Sequence, residues 1–380
     1  MGEKDLGGGA ATRDRGAAGA RAVRWGIVGA GRIAHRFARS LVHEGRSELV
    51  AISCRRAGRA EAFALEHGVP EGGALSDEAL GGVAGAAHAA LLARPDVDAV
   101  YLALPHAMHL EWALAALRAG KAVLCEKPAC VDAEEARELA GAARETGTLF
   151  MEAMKTRFSP LYRRVRELVA EGAIGEVRRV EALLENDMGE RIARGGDYLS
   201  AARGGGILLD SGIYCSSWVE DYLGGPLEVV GAAARWDHGH DCFVEAELAR
   251  GEMTARLVTA ADAAGPREAR IIGAAGTIVV EDMHRPQRAR LERPGEDPVG
   301  LELPYPVDDF YDEIGHFVDL VVCGRAESDV MPLAATLRCA ELLDAVRAAI
   351  GPEGDGPRAD RPQPPADAGR TRLAPERASR

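Results

Sequence analysis

From Val23 onward the chain alternates short, unbroken apolar runs with longer segments whose apolar residues return at helical spacing. The runs are VRWGIVG (23–29), ELVAIS (48–53), DAVYLAL (98–104), KAVLC (121–125) and TLFMEAM (148–154). Runs this short with no polar alternation suit strands covered on both faces in a parallel sheet. Between them the pattern predicts helices over Arg32–His43, Arg59–His67, His109–Arg118 and Ala133–Glu145. Alternation this regular predicts a doubly wound α/β domain over residues 23–150. A Gly- and Ala-rich segment, LGGVAGAAHAALLA (80–93), interrupts it and is expected to form a loop or an added helix.

Beyond about residue 155 the pattern changes. One helix (LYRRVRELVAEG, 161–172) is followed by period-two segments, VRRVEALLE (177–185) and FVEAELARGEMTARLVT (243–259). Period two argues for a mostly antiparallel sheet with one covered and one freer face, and defines a second unit over 151–350. Two helical stretches, DDFYDEIGHFVDLVVCG and MPLAATLRCAELLDAVRAAI, end that unit near Ile350. Residues 1–22 lack the apolar core of a secretory signal and read as a disordered leader. Residues 351–380, rich in Pro, Asp and Arg with few apolar anchors, read as a disordered tail.

Composition narrows the function classes. At 380 residues, 47% hydrophobic and 28% charged, the chain has the make-up of a globular protein large enough for two cores. Its net charge of -13 argues against a partner bound by phosphate neutralisation, whether nucleic acid or an anionic membrane. No run approaches the ~18 apolar residues of a spanning helix. The seven cysteines (54, 125, 130, 215, 242, 323, 339) are odd in number and contain no C-x-x-C pair, so neither a disulfide framework nor a zinc knuckle is indicated and a reducing cytoplasm fits. All but four of the 46 basic residues are Arg, so Lys4, Lys121, Lys127 and Lys155 stand out.

The first run ends in Gly29-Ala30-Gly31-Arg32-Ile33-Ala34, a G-x-G-x-x-A between a predicted strand and a predicted helix. Gly29 permits the tight turn, Gly31 lets backbone approach a pyrophosphate, and Ala34 keeps the helix close to the strand. This predicts dinucleotide binding. The second run ends in Ser53-Cys54-Arg55-Arg56, with Arg59 following and no carboxylate before Glu61. Arginines there would pair with a 2′-phosphate, so NADP(H) is favoured over NAD(H). The fourth and fifth runs lead into Leu104-Pro105-His106-Ala107-Met108-His109 and Cys125-Glu126-Lys127-Pro128, turns that should border the cofactor. His106-x-x-His109 has no further ligands nearby, and Asp237-His238-Gly239-His240-Asp241-Cys242 resembles a metal cluster by composition only, so no metal site is expected. Glu313 and His316 read as surface or packing residues.

The segments WGIVGAGRIA, VYLALPHAMHLEWALAALRAGKAVLCEKP, MEAMKTRFSP and GGGILLDSGIY together resemble the glucose-fructose oxidoreductase, inositol dehydrogenase and MocA family of NAD(P)-dependent oxidoreductases. Within it, the chain is similar to the dihydrodiol dehydrogenase and D-xylose dehydrogenase branch. The resemblance implies a Rossmann domain followed by an α+β domain on a large, mostly antiparallel open sheet, one face over the nicotinamide and the other often a dimer interface. It implies Lys127 as the catalytic lysine, with Asp210 and Tyr214 as the acid and the tyrosine of the D-x-G-I-Y block. Arg55 and Arg59 match 2′-phosphate positions, while Pro105, His106, His109, Glu126 and Arg157 fall where relatives line the nicotinamide and its ribose. The residues themselves add that Asp210 and Tyr214, four apart, project from one face if a helix begins there.

The expected chemistry is hydride transfer between nicotinamide and a carbonyl or carbinol carbon of a sugar, polyol or related substrate. Tyr214 and Lys127 would form the acid–base pair, the ammonium lowering a phenol pKa of ~10 toward neutrality. Asp210 would orient substrate or Lys127. Relatives on the dihydrodiol branch tend to carry Trp where this chain has Lys155, so Lys155 is expected at the substrate and favours polar, polyhydroxylated or anionic molecules. Two other readings compete: transient redox within an epimerisation or elimination, and non-catalytic NADP sensing. A homo-oligomer, dimer or tetramer, through the second sheet is expected.

Overall fold

The computed structural model describes residues 21–190, 205–237 and 239–352. The expected leader and tail, apart from their inner two residues each, lie outside the described residues. The first sheet consists of β1 (Val23–Val28), β2 (Ser47–Cys54), β3 (Ala74–Ser76), β4 (Ala99–Leu102), β5 (Ala122–Glu126) and β6 (Phe150–Ala153). Its order is β3-β2-β1-β4-β5-β6 and every neighbouring pair is parallel. The connecting helices are α1 (Arg32–Leu41), α2 (Ala57–His67), α3 (Ala86–Leu92), α4 (His109–Arg118) and α5 (Ala133–Thr146). The order in which strands are added reverses between β1 and β4, so their carboxyl ends open a crevice there.

The five apolar runs all became strands because they are buried on both faces, with Trp25, Ile27, Val100, Tyr101 and Leu124 wholly inaccessible. α5 starts where its sequence supplies a cap: Asp132 accepts from the Glu135 amide at 2.9 Å and Glu135 reaches back to the Val131 amide at 3.0 Å. β3 was not expected, since three residues carry no readable period. The 80–93 insertion resolves into turns followed by α3, which is packed rather than peripheral. A Cβ on Gly26 of β1 would stand 2.6 Å from Leu91 of α3, so the missing side chain is what admits that helix to the sheet.

The second sheet holds β7 (Val177–Glu185), β8 (Glu228–Asp237), β9 (His240–Arg250), β10 (Met253–Ala260), β11 (Ala269–Gly273), β12 (Thr277–Glu281), β13 (Arg288–Glu292) and β14 (Val299–Glu302). Its order is β14-β13-β12-β11-β7-β10-β9-β8, antiparallel throughout except for the β7–β10 pair. On β7, Val180, Ala182 and Leu184 are buried against the helices, while Arg179 and Glu181 alternate onto the other face. The covering helices are α6 (Pro160–Ala170), α7 (Ile207–Asp210) and α8 (Gly212–Leu223). α6 begins with Ser159 capping the Tyr162 amide and Pro160 in the first turn, where no amide hydrogen is needed.

The last two helices, α9 (Tyr311–Val322) and α10 (Leu333–Ile350), tie the two sheets together, α10 packing on β8 and α8 as well as on α5. α9 lies on the first: Phe317 packs against Trp25 with ring centroids 5.1 Å apart, Asp308 accepts from Ser40 at 2.8 Å, and Asp319 pairs with Arg46 at 2.7 Å. α10 docks on α5 through Asp344, which accepts from the Ala133 amide at 2.8 Å. The apolar core therefore runs without a break from Trp25 to Trp218, and the two halves share one interior. Among the described residues no helix is long and apolar enough to cross a membrane.

Candidate active site

Two cavities open at the carboxyl ends of β1 and β4, and Leu104 borders both. The first, of about 540 Å³, is a crevice walled by Gly29, Ala30 and Gly31, by Cys54 to Arg59 at the end of β2, and by Ala103 to Met108. Gly29 sits at φ 101°, and a Cβ there would fall 2.4 Å from the Ala103 carbonyl, so the turn requires glycine. Gly31 differs in that a Cβ would meet nothing within 4 Å. The space beside it is open to the crevice, and α1 begins at Gly31 with no side-chain cap on its amides. An open approach and the positive end of a ten-residue helix favour an anion at this point.

Arg55, Arg56 and Arg59 line the outer end of the crevice, all exposed and none of them ion-paired among the described residues. His88 of α3 also lines it, held by Ser53 at 2.8 Å. Its side of the crevice comes from the insertion, where sequence reasoning found no function. The Ser53 and His88 side chains meet only because α3 folds onto the sheet.

The second cavity, about 440 Å³, lies between the two sheets. Lys127, Asp210 and Tyr214, far apart in the chain, meet there. The Lys127 ammonium donates to the Asp210 carboxylate at 3.0 Å and to its carbonyl at 2.5 Å, and stands 4.9 Å from the centre of the Tyr214 ring. The Lys127–Pro128 peptide is cis. Asp210 ends α7 and Tyr214 opens α8, with a break at Ser211 between them, so the expected single helix is two short ones that still present both groups to the cavity. α7 is anchored by Asp241, which accepts from the Leu208 amide at 2.6 Å; Gly206, at φ 99°, would put a Cβ 2.1 Å from that carboxylate. Asp241 of the metal-like composition therefore holds a helix end.

The electrostatics of Tyr214 depart from expectation. Burial, followed by the carboxylates of Glu126, Asp210, Asp309 and Glu313, pushes its phenol well above its ordinary value. Lys127 does not reverse this, so the group is held protonated.

Glu126 and His106 border the cavity, and Glu126 turns inward to accept from the Tyr101 hydroxyl. Ile33 and Arg32 line it from α1, while Pro105 faces the crevice. Ala34 is buried at the helix–strand contact. His109 is a correction. It is fully buried behind the turns, with Nδ1 2.8 Å from the Pro128 carbonyl and Nε2 2.9 Å from that of Leu104; the neutral ring donates to one of these carbonyls and lines neither cavity. Burial and the neighbouring His106 push its pKa down to about 4.

Arg157 is a second correction. Its guanidinium is 1% exposed and bonds the Ser217 hydroxyl and carbonyl, both at 2.8 Å, and Glu220 at 2.5 Å. It fastens the 155–158 turn to α8, away from the cofactor crevice.

Lys155 does border the cavity, but its ammonium is buried and paired with Asp309. Arg36 and Arg285 reach the same carboxylate, so three cations surround Asp309. Burial pushes the Asp309 carboxyl up, but Lys155, Arg36 and Arg285 pull it below its ordinary value. For Lys155 burial outweighs Asp309 and lowers the ammonium pKa. Sequence reasoning missed Arg36, Asn186, Asp187, Met188, His284 and Arg285. Only Arg36 left a trace, four residues after Arg32 and hence on the same helix face. Glu313, read as surface or packing, is 1% exposed, with neither carboxylate oxygen hydrogen-bonded.

A dinucleotide crevice at the switch point of a parallel sheet, opening onto a Lys–Asp–Tyr cavity roofed by a second sheet, defines a two-domain nicotinamide oxidoreductase. Residues 23–154 match the oxidoreductase family model with NAD-binding Rossmann fold, GFO_IDH_MocA, and residues 162–279 match the GFO/IDH/MocA C-terminal domain. The trans-1,2-dihydrobenzene-1,2-diol dehydrogenase of Bos taurus is 33% identical over 350 residues, covering 87% of this chain and 97% of that one; the Homo sapiens enzyme is 31% identical over 343. Among solved structures, KijD10, a 3-ketoreductase from Actinomadura kijaniata in complex with NADP and TDP-benzene, is similar at a TM-score of 0.74 and 32% identity, over 89% of this chain and 98% of that one. Aldose-aldose oxidoreductase from Caulobacter crescentus gives a TM-score of 0.75 at 25% identity, over 86% and 96%. The chain belongs to the Gfo/Idh/MocA family and is an NAD(P)-dependent oxidoreductase acting on CH–OH groups.

Proposed function

We propose that this enzyme uses NADP(H) to interconvert a carbonyl and a hydroxyl on a sugar, polyol or related molecule. The observation that carries the reading is the meeting of Lys127, Asp210 and Tyr214 in one cavity next to the glycine turn. The α1 amides beside Gly31 would hold the pyrophosphate, and Arg55 and Arg59 the 2′-phosphate. When bound, the nicotinamide supplies the hydride donor or acceptor. Tyr214, held protonated, gives its proton to the substrate oxygen during carbonyl reduction, and Lys127, tethered by Asp210, restores it. The keto and aldose chemistry in the names of the ketoreductase and the aldose-aldose oxidoreductase supports this class.

The cations gathered on Asp309 refine the substrate reading. Lys155 is satisfied by that carboxylate, so the surplus positive charge facing the cavity comes from Arg36 and the half-exposed Arg285. Such a wall suits a polyhydroxylated or acidic substrate better than an aromatic diol. The test is a spectrophotometric screen of NADPH oxidation and NADP⁺ reduction over ketoses, aldoses, inositols, sugar acids and dihydrodiols. Turnover confined to dihydrodiols would overturn the substrate reading, and turnover with NADH alone would overturn the cofactor reading.

A further inference from the structure

Away from both cavities, α1 and α2 bring two imidazoles and a carboxylate to one point. His35 Nδ1 lies 2.9 Å from His67 Nε2 and 3.1 Å from Glu66 Oε2, and His67 Nε2 lies 3.5 Å from Glu66 Oε1. We infer that His35, Glu66 and His67 form a site for a borderline divalent cation of the Zn²⁺ type, with a water as fourth ligand.

With neutral rings, a single proton must serve this whole arrangement. A neutral imidazole has one N–H. If His35 Nδ1 carries it, that proton is divided between His67 and Glu66. If His67 Nε2 carries it, the His35 lone pair faces the carboxylate at 3.1 Å. One cation at the centre serves all three donors. Ligands about 2.0–2.1 Å from a tetrahedral ion lie roughly 3.3–3.4 Å from one another; here His35 Nδ1 stands 2.9 Å from His67 Nε2 and 3.1 Å from Glu66 Oε2, and the three ligand atoms all lie within 4.8 Å of one another. Two imidazole nitrogens with one carboxylate oxygen is a donor set suited to zinc, nickel or copper rather than to magnesium or calcium.

Three further features support the site. Glu66 and His67 are the last residues of α2, at its carbonyl end, where a cation is favoured. The buried Phe63 ring packs on both imidazoles, with centroids 4.6 Å from His35 and 4.5 Å from His67, so the rings are held in place before any ion binds. His35 and Glu66 are partly exposed, which leaves a path for the ion and room for water. Arg39 donates to Glu66 Oε1 at 2.9 Å and leaves Oε2 for the ion. An ion here would join the helix that starts on the phosphate-binding turn to the helix that starts at Arg56, and it is independent of the substrate reading.

The test is calorimetric titration of ZnCl₂ into the full-length enzyme after chelator treatment, with thermal unfolding measured in parallel. One equivalent should bind, and Tm should rise with Zn²⁺. Glu66→Gln, at a partly exposed position, should weaken binding at least tenfold; the double variant H35A/H67A should abolish both the binding and the Tm rise. An enzyme that binds no Zn²⁺, or equal binding by wild type, Glu66→Gln and the double variant, would overturn the assignment.

Discussion

The two cavities handle basic side chains in opposite ways. In the cofactor crevice Arg55, Arg56 and Arg59 are exposed and carry no ion pair among the described residues. In the catalytic cavity Arg36, Lys155 and Arg285 crowd onto the buried Asp309. Solvent can support an unpaired guanidinium until an anionic ligand arrives, whereas a cation taken into the interior loses several kcal/mol of hydration unless a carboxylate meets it. The crevice is thus open to a phosphate, while in the cavity one carboxylate is shared among three cations before substrate enters.

The comparison can be broken at both ends. The largest effect belongs to the cavity: Lys127→Ala should lower kcat by ~10²–10⁴-fold while leaving NADPH affinity, read by fluorescence titration, nearly unchanged. Retained turnover on a verified substrate would remove Lys127 from the proton path.

Asp309→Ala leaves Lys155 buried without its partner and should cost about 3–5 kcal/mol in urea unfolding. A loss below ~1 kcal/mol, the scale of exposed pairs, would show that the cluster is surface-like after all.

His109 gives a pH signature. In the folded enzyme its ring takes a proton only near pH 4, whereas the unfolded chain does so near ~6.5. Between those values the unfolded chain binds more protons, so stability should fall as pH drops from about 6.5 to 4, by up to ~3 kcal/mol. His109→Asn should flatten that slope in unfolding experiments at several pH values; an unchanged slope would assign the acid sensitivity to other groups.

The smallest effect falls in the crevice. Arg55→Ala and Arg59→Ala should each weaken NADPH binding by roughly tenfold to a hundredfold, the scale of a charge-assisted hydrogen bond, with little change for NADH. Equal losses for both cofactors would reject a 2′-phosphate role.

The same contrast explains which parts were legible in the sequence. The crevice is built mainly from three short stretches, 29–31, 54–59 and 103–108, each following a strand that its apolar run announces, with His88 of α3 added. The cavity gathers α1, the ends of β4 and β5, the 155–158 turn, the end of β7, the α7–α8 junction and the loop after β12. Lys127, Asp210 and Tyr214 were found there because their motifs resemble a family. Arg36, His284 and Arg285 had no motif to mark them. His109 and Arg157 were read as lining residues because polar groups next to a functional turn look alike in one dimension. Their burial, each polar atom facing a carbonyl, hydroxyl or carboxylate, appears only in the fold. The short β3 and the insertion helix α3 escaped because three residues, or a run of Ala and Gly, carry little periodicity.

By itself the sequence determined the doubly wound first half, the glycine turn and the arginines beyond β2, and the antiparallel character of the second sheet. These depend on apolar spacing and on glycine geometry, which act between residues close in the chain. Tertiary structure alone decided that α9 returns to cover the first sheet, that Lys155 meets Asp309, and that His35 meets Glu66 and His67. Those outcomes depend on which buried charges and lone pairs find partners from distant segments, and that is settled only when the two sheets close on one interior.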